Sequence, residues 1–247
     1  MAAGARHGDP AAMSMSMNIL RIALLASTAV GLAACSTSPP PPDWQLSARG
    51  SAERAVAAYL EGRQKVEGAE IRRLRLEIAR TGDPQVLARA ELLLCAAQVA
   101  SLDFSGCSAF EPLRVDATAA EQAYAKYLTG EASGEQVALL PPAQQGPARL
   151  LLAPGSQAAD GAPVIREIGD PLARLVAAGV WFQAGRGSPA LIALAVDTAS
   201  AQGWSRSLLA WLEVQARSAE RAGDSETSQR VRRRIDLVLS GGAPPRP

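Results

Sequence analysis

Length, composition and charge narrow the class of protein before any motif is considered. The chain has 247 residues, of which 48% are hydrophobic and only 4% aromatic, so we expect one or two domains with a core of Ala, Leu, Val and Ile. Ala and Leu also lead the helix-propensity ranking, which favours an all-α fold. The net charge is +1, so the strongly basic balance typical of nucleic-acid-binding proteins is missing, and we expect no nucleic-acid partner.

Residues 17–35, MNILRIALLASTAVGLAAC, have the layout of a secretory signal. Arg21 supplies the positive charge, and the apolar run at 22–32 is shorter than the about 20 residues that a membrane-spanning helix needs. Residues 1–16 fit this layout poorly, and we interpret them as an incorrectly assigned gene start.

The stretch Leu-Ala-Ala-Cys at 32–35 resembles the lipobox of bacterial lipoproteins, and the resemblance covers residues 17–36. It implies that a diacylglyceryl group is attached to Cys35, that residues 1–34 are removed as a signal peptide, and that the new N-terminus is acylated. In that family an aspartate after the cysteine retains the protein in the inner membrane, so Ser36 implies the periplasmic face of the outer membrane. Several acyl chains would hold Cys35 stably in the lipid bilayer. The alternative is an ordinary secretory signal that happens to precede a cysteine.

Residues 35–43 are predicted to form a proline-rich tether. The prolines at 39–42 exclude helix and strand and favour polyproline II, in which residues 36–43 would extend over roughly 25 Å. Removing residues 1–34 also removes His7, the only histidine, and leaves basic and acidic residues in equal number.

Helix signals dominate from residue 46 onward, and no strand-like alternation competes with them. Asp83 followed by Pro84 is typical of a helix start, since the aspartate caps free amides and the proline fits the first turn. The N-terminal helical region, 44–129, is predicted to contain helices at about 47–80 (broken at Gly62 or Gly68), 84–101 and 117–129.

The second half of the chain is expected to contain a linker, helical hairpins and a tail. Residues 130–167 are rich in glycine and proline. We interpret them as a long linker or an irregular segment that covers the helices, and a loop of this length counts against a single compact domain. The helical hairpins are expected at 168–240 and a disordered tail at 241–247. Four helices are predicted within the hairpins: 171–184, 189–202, 205–222 and 225–239.

The turns at Gly185 and Gly223 lie 38 residues apart, close to the 34-residue period of tetratricopeptide-like helical hairpins. Residues 216–231 resemble the turn of such a repeat, although Ser228 stands where the family has a small alanine. This resemblance implies antiparallel helical hairpins stacked as a solenoid. An irregular, non-repeating helical bundle is the alternative.

Cys95 and Cys107 are the remaining cysteines once Cys35 carries lipid. The periplasm, which the lipoprotein resemblance implies, is oxidising and favours a disulfide between them. Such a bond would close a loop of about 13 residues, worth roughly 3 kcal/mol in the chain-entropy model. The alternative is that Cys95 is a small buried apolar residue and Cys107 a free thiol. We expect no metal or other cofactor, because the chain has no CxxC motif and no histidine partner for these cysteines.

Four arginines near the C-terminus form the most basic stretch of the chain: Arg230, Arg232, Arg233 and Arg234. On a helix they spread around the axis, which predicts a solvated face. The alternative is contact with an anionic partner. Tryptophans are expected in the core, except that Trp44, next to the tether, could touch the membrane.

Together these features predict a membrane-anchored periplasmic lipoprotein that acts as a non-catalytic helical scaffold or adaptor for an envelope protein partner. No catalytic residue and no small-molecule substrate are identified, and without histidine a Ser-His-Asp triad is unavailable. One alternative is a peptidoglycan-active enzyme that uses paired carboxylates. Another is a purely structural component of the envelope.

Replacing Cys35 tests the predicted anchor. We expect Cys35→Ala to abolish metabolic labelling with a fatty acid and to release processed protein from the membrane fraction, because the sulfur that accepts the lipid is gone. Labelling and fractionation of intact cells measure both effects. A Cys35→Ala protein that still carries lipid would contradict the prediction, and Ser38→Ala in the tether is the matched control.

Overall fold

Helices provide all the regular secondary structure that the computed structural model describes, at residues 40–155 and 158–243. The all-α prediction is confirmed. Residues from Pro42 onward belong to one unit. Its α-helices are α1 (Asp43–Leu60), α2 (Gln64–Ala79), α3 (Pro84–Ala100), α4 (Ala119–Leu128), α5 (Pro142–Leu152), α6 (Ala162–Arg166), α7 (Pro171–Gln183), α8 (Pro189–Gln202), α9 (Ser205–Arg221) and α10 (Ser225–Leu239). Two short 3-10 segments, Glu111–Leu113 and Gly134–Leu139, connect some of them.

Short sequence signals at the helix ends explain these boundaries. Oδ1 of Asp83 accepts hydrogen bonds from the amides of Gln85 at 2.8 Å and Val86 at 3.3 Å. These bonds satisfy amides that the first turn of α3 leaves free. Asp170 caps α7 in the same way, accepting from the Ala173 amide at 2.7 Å. The first helix begins at Asp43, earlier than predicted, directly after the prolines.

The linker predicted at 130–167 is wrong for most of its length. The segment contains a 3-10 turn, α5 and α6, and it contributes Ala148 and Ile165 to the core. Pro142 and Pro163 are compatible with helix because they lie in the first turns of α5 and α6, where the missing amide proton has no acceptor. Pro147 lies inside α5 and is buried. Composition alone therefore misrepresented a packed segment as a linker.

Helices that are distant in sequence pack against each other. The hairpin α1–α2 lies against α3, and α7, α8, α9 and α10 pack in sequence order. In addition, α3 packs on α7, and α9 contacts α1. A solenoid has contacts only between neighbouring repeats, so these pairs favour the irregular bundle of helical hairpins. Trp181 and Trp211 are fully buried in its core, as predicted for tryptophan.

The contact between α3 and α7 depends on Gly179. A Cβ atom at this position would lie 2.3 Å from the carbonyl oxygen of Val99 in α3. Such a distance is impossible between non-bonded atoms, and the obstacle is backbone rather than a flexible side chain. The absence of a side chain at Gly179 therefore fixes how closely the two helices approach.

We expect Gly179→Ala to destabilise the fold by about 2–3 kcal/mol, because the added methyl forces α3 and α7 apart. Urea unfolding followed by tryptophan fluorescence measures the change. Gly68 in the middle of α2 is the matched control, since its Cβ would meet only an arginine nitrogen at 3.6 Å. We expect Gly68→Ala to stabilise by about 0.5–1 kcal/mol through helix propensity. Equal effects of the two substitutions would contradict this account of the α3–α7 contact.

Candidate functional site

An open groove of about 840 Å³ lies between α9, the segment after α3 and the end of α7. We call it the α9 groove. Its floor is largely apolar and charged side chains lie along α9. The lining residues are Ser101, Leu102, Phe104, Phe182, Ala210, Glu213, Val214, Arg217, Glu220 and Arg221.

One wall of the α9 groove is a single face of a helix. Ala210, Val214, Arg217 and Arg221 recur at spacings of three or four residues, which places them one above the other along α9. The stretch covers three helical turns, about 16 Å at 1.5 Å per residue. Behind it, the Phe182 ring packs edge-on against Trp211, with 5.6 Å between ring centroids. The wall is therefore long, straight and supported by the core.

The opposite wall contains an unusual backbone conformation at Leu102. Its φ of +61° makes it the only non-glycine residue with positive φ in the part of the chain that the structure describes. The Leu102 amide donates to the Val99 carbonyl, and the Asp103 amide donates to the Gln98 carbonyl, both at 3.0 Å. This turn ends α3 in the way that glycine ends other helices, for example at Gly185.

A leucine at this position costs about 1–2 kcal/mol of backbone strain relative to glycine. Its side chain packs against the core and lines the α9 groove. Glycine would avoid the strain, but it would remove this apolar surface. Strained backbone that persists in a concave surface is typical of functional sites.

The predicted disulfide between Cys95 and Cys107 is confirmed, with 5.3 Å between the Cα atoms. Both cysteines are buried, at 5% exposure. The loop that the bond closes contains Ser101, Leu102 and Phe104, which are the residues of the second wall. The disulfide therefore ties that wall to the body of α3.

Two further hydrogen bonds fix this wall to α9. The hydroxyls of Ser101 and Ser207 are 2.7 Å apart in a buried position. The indole Nε1 of Trp211 donates to the Ala100 carbonyl at 3.1 Å. Both bonds are buried, so a donor or acceptor left without its partner would not be compensated by water. The protein would then lose stability equal to the desolvation free energy of that polar group. The two walls of the groove are held in a defined relation before anything binds.

The carboxylates along the α9 groove are already paired. Arg232 of α10 donates to Glu213 at 3.1 Å and to Glu220 at 2.9 Å. The hydrogen bond from Arg232, followed by that from Ser228, lowers the pKa of the Glu220 carboxyl. A general acid near neutral pH needs a raised pKa instead. Glu220 therefore does not have the raised pKa that a general acid requires.

The arginine cluster of the sequence analysis has more than one environment. Arg232 pairs with α9, and Arg230 lies 3.8 Å from Glu226. Arg233 is exposed on the same helix, consistent with a solvated face. One arginine of the cluster, Arg232, therefore forms ion pairs that join α9 and α10.

A second groove, of about 580 Å³, lies between α3, α4 and the start of α5. Leu93 and Leu139 expose 36% and 44% of their surface beside it. At its edge Arg89 donates to Glu121 at 2.7 Å. Burial raises the pKa of Glu121, but hydrogen bonds from Thr118 and Arg89 outweigh that effect and lower it.

The remaining sequence predictions concern the lipidation site, metal binding and Trp44. Cys35 and Ser36 lie outside the described residues. Within residues 40–155 and 158–243, no group of three or more His, Cys, Asp and Glu side chains could hold a metal ion. No helix in those same ranges combines the length and hydropathy needed to cross a bilayer. Trp44 packs against a small cluster around Leu74 and Ile78.

Comparisons with protein-family models, curated proteins and solved structures found no match to this chain.

The groove residues were missed by the sequence analysis. They come from three distant segments and carry no shared motif. The one available signal was local: α3 ends at SLDFSG, without the glycine that follows the other helices within three residues.

We expect removal of the disulfide to lower the free energy of unfolding by roughly 3 kcal/mol, since its loop closes residues that are 12 apart in sequence. The measurement is urea unfolding with and without reductant, with free thiols counted in parallel. In the Cys95→Ala/Cys107→Ala control, which keeps both buried positions apolar, reductant should not change the free energy of unfolding. Unchanged stability after complete reduction would contradict the prediction.

Proposed function

We propose that this protein is a membrane-anchored lipoprotein of the cell envelope that acts as a non-catalytic helical adaptor, and that the α9 groove binds its protein partner. The observation that carries this proposal is the groove itself: an apolar floor with a charged edge, held open by buried bonds and a disulfide. Stable protein interfaces have this arrangement, with an apolar centre and a polar rim.

The shape of the groove favours a protein segment over a small molecule. Small-molecule sites enclose most of the ligand and place a few polar groups toward it. The α9 groove is instead open along three helical turns, and its carboxylates are paired with Arg232. A helical or extended segment of a partner would cover the apolar floor along this length.

The anchor is proposed from the sequence. Leu-Ala-Ala-Cys at 32–35 and the prolines after it support lipidation at Cys35, with Ser36 directing the protein to the periplasmic face of the outer membrane. The Cys95–Cys107 disulfide is consistent with an oxidising compartment. In this arrangement the tether would hold the adaptor near the membrane while the groove stays accessible to a partner.

Site-specific cross-linking in the cells that make the protein tests the adaptor role. We expect a benzophenone amino acid in place of Phe104 to give a covalent adduct with a partner protein on illumination, because Phe104 lines the groove. The control places the same group at Val115, which is 87% exposed and does not line the groove. Adducts are detected by a shift in gel mobility.

A second variant separates specific contact from chance proximity. Leu102→Gly removes apolar surface from the groove and relieves the left-handed backbone at that position, so it should fold. We expect it to reduce the Phe104 adduct. Equal adducts from positions 104 and 115, or no adduct from position 104, would refute the adaptor role of this groove.

A further inference from the structure

We infer that the occupant of the α9 groove is an acidic amphipathic helix of a partner protein, about three to four turns long, with its apolar face on the groove floor and carboxylates on Arg217 and Arg221. This inference rests on the proposed function and specifies the chemistry of the partner.

The length and surface of the groove fit a helix. Its apolar side chains lie on both walls, with Leu102 and Phe104 on one and Val214 on the other, beside three turns of α9. A partner helix buries one stripe of side chains at i, i+3, i+4 and i+7 in such a groove. The partner segment therefore needs about 12–14 residues with apolar side chains on one face.

The charges at the edge of the groove are not balanced. Both carboxylates there, Glu213 and Glu220, accept hydrogen bonds from Arg232. Arg217 lies 3.7 Å from Glu213, and 72% of its side chain is exposed. The repulsion between Glu213 or Glu220 and another negative group is reduced by the Arg232 cation that they already hold.

Arg221 completes the basic edge. Its Nε donates to the backbone carbonyl of Arg217 at 3.3 Å, and within residues 40–155 and 158–243 no carboxylate lies within ion-pair distance of its guanidinium. Arg217 and Arg221 are one helical turn apart, so their charged ends point to the same side. Two acidic residues one turn apart on a partner helix can meet them, whereas lysines there would be repelled.

The experiment compares two synthetic peptides of about 14 residues, each held helical by the same side-chain staple. Both carry leucines on one face. The remaining positions are glutamates in the Glu peptide and lysines in the Lys peptide. Binding to the full chain carrying Cys35→Ala, with its disulfide intact, is measured by fluorescence anisotropy at low and high salt.

We expect the Glu peptide to bind about tenfold more tightly than the Lys peptide, since two ion pairs replace two repulsive contacts. The preference should shrink at high salt because the groove edge is exposed. Leu102→Gly should weaken binding of both peptides, since it removes apolar surface that they share.

Reversing the charge of Arg221 tests whether this residue causes the preference for the Glu peptide. Arg221→Glu should weaken binding of the Glu peptide about fivefold and strengthen that of the Lys peptide. Arg166→Glu makes the same change at the end of α6, outside the groove, and should leave both affinities unchanged. An Arg221→Glu protein that keeps the preference of the unmodified protein overturns the inference.

The remaining outcomes separate the inference from the proposed function. If the two peptides bind with equal affinity, and Leu102→Gly abolishes the binding of both, the inference of an acidic partner is wrong. The α9 groove would still be supported as a binding surface. Binding of neither peptide overturns the inference, and the Phe104 cross-link then decides the adaptor role independently.

Discussion

The contact between α3 and α7 at Gly179 is the constraint on which the rest of the structure depends. Because the glycine lets the Val99 carbonyl approach the α7 backbone, the last turn of α3 lies deep in the bundle. Trp211 of α9 can then donate to Ala100 in that same turn. Three helices that are far apart in sequence thus meet at the end of α3. The α9 groove lies at this junction, so its position follows from backbone packing.

The segment after α3 has to leave this crowded junction, and it does so in a strained conformation. Leu102 takes the left-handed backbone that glycine takes after neighbouring helices. A flexible chain would relax away from such a conformation. Here the disulfide shortens the free length of chain, and the Ser101–Ser207 hydrogen bond fixes its start. The energy that these bonds contribute offsets the strain, and the result is an apolar side chain held at the groove surface.

The sequence predicted what depends on local chemistry. Helix starts at Asp83-Pro84 and Asp170-Pro171 were predicted to the residue, because capping and proline geometry act within a few residues. The disulfide was predicted because Cys95 and Cys107 are the cysteines that remain if Cys35 carries lipid, and because an oxidising compartment favours a bond between them. The helices α5 and α6 were missed because glycine and proline content was given more weight than the position of each proline. The end of α3 at SLDFSG was a local signal for an unusual turn, but it could not predict the α9 groove, which needs residues from the end of α3, from α7 and from α9 to meet at one point.

Overall neutrality of charge does not make the surface uniform. The single cation of Arg232, on the neighbouring helix α10, pairs with two carboxylates on α9. That pairing ties the last hairpin together, and it also leaves Arg217 and Arg221 as the least balanced charges beside the apolar floor. The sequence predicts a solvated face for this arginine cluster, but Arg232, one of its members, changes the charge at the edge of the α9 groove. By pairing with the acidic residues of the groove, Arg232 reduces the negative charge at that edge, and this is the basis for the acidic partner that we infer.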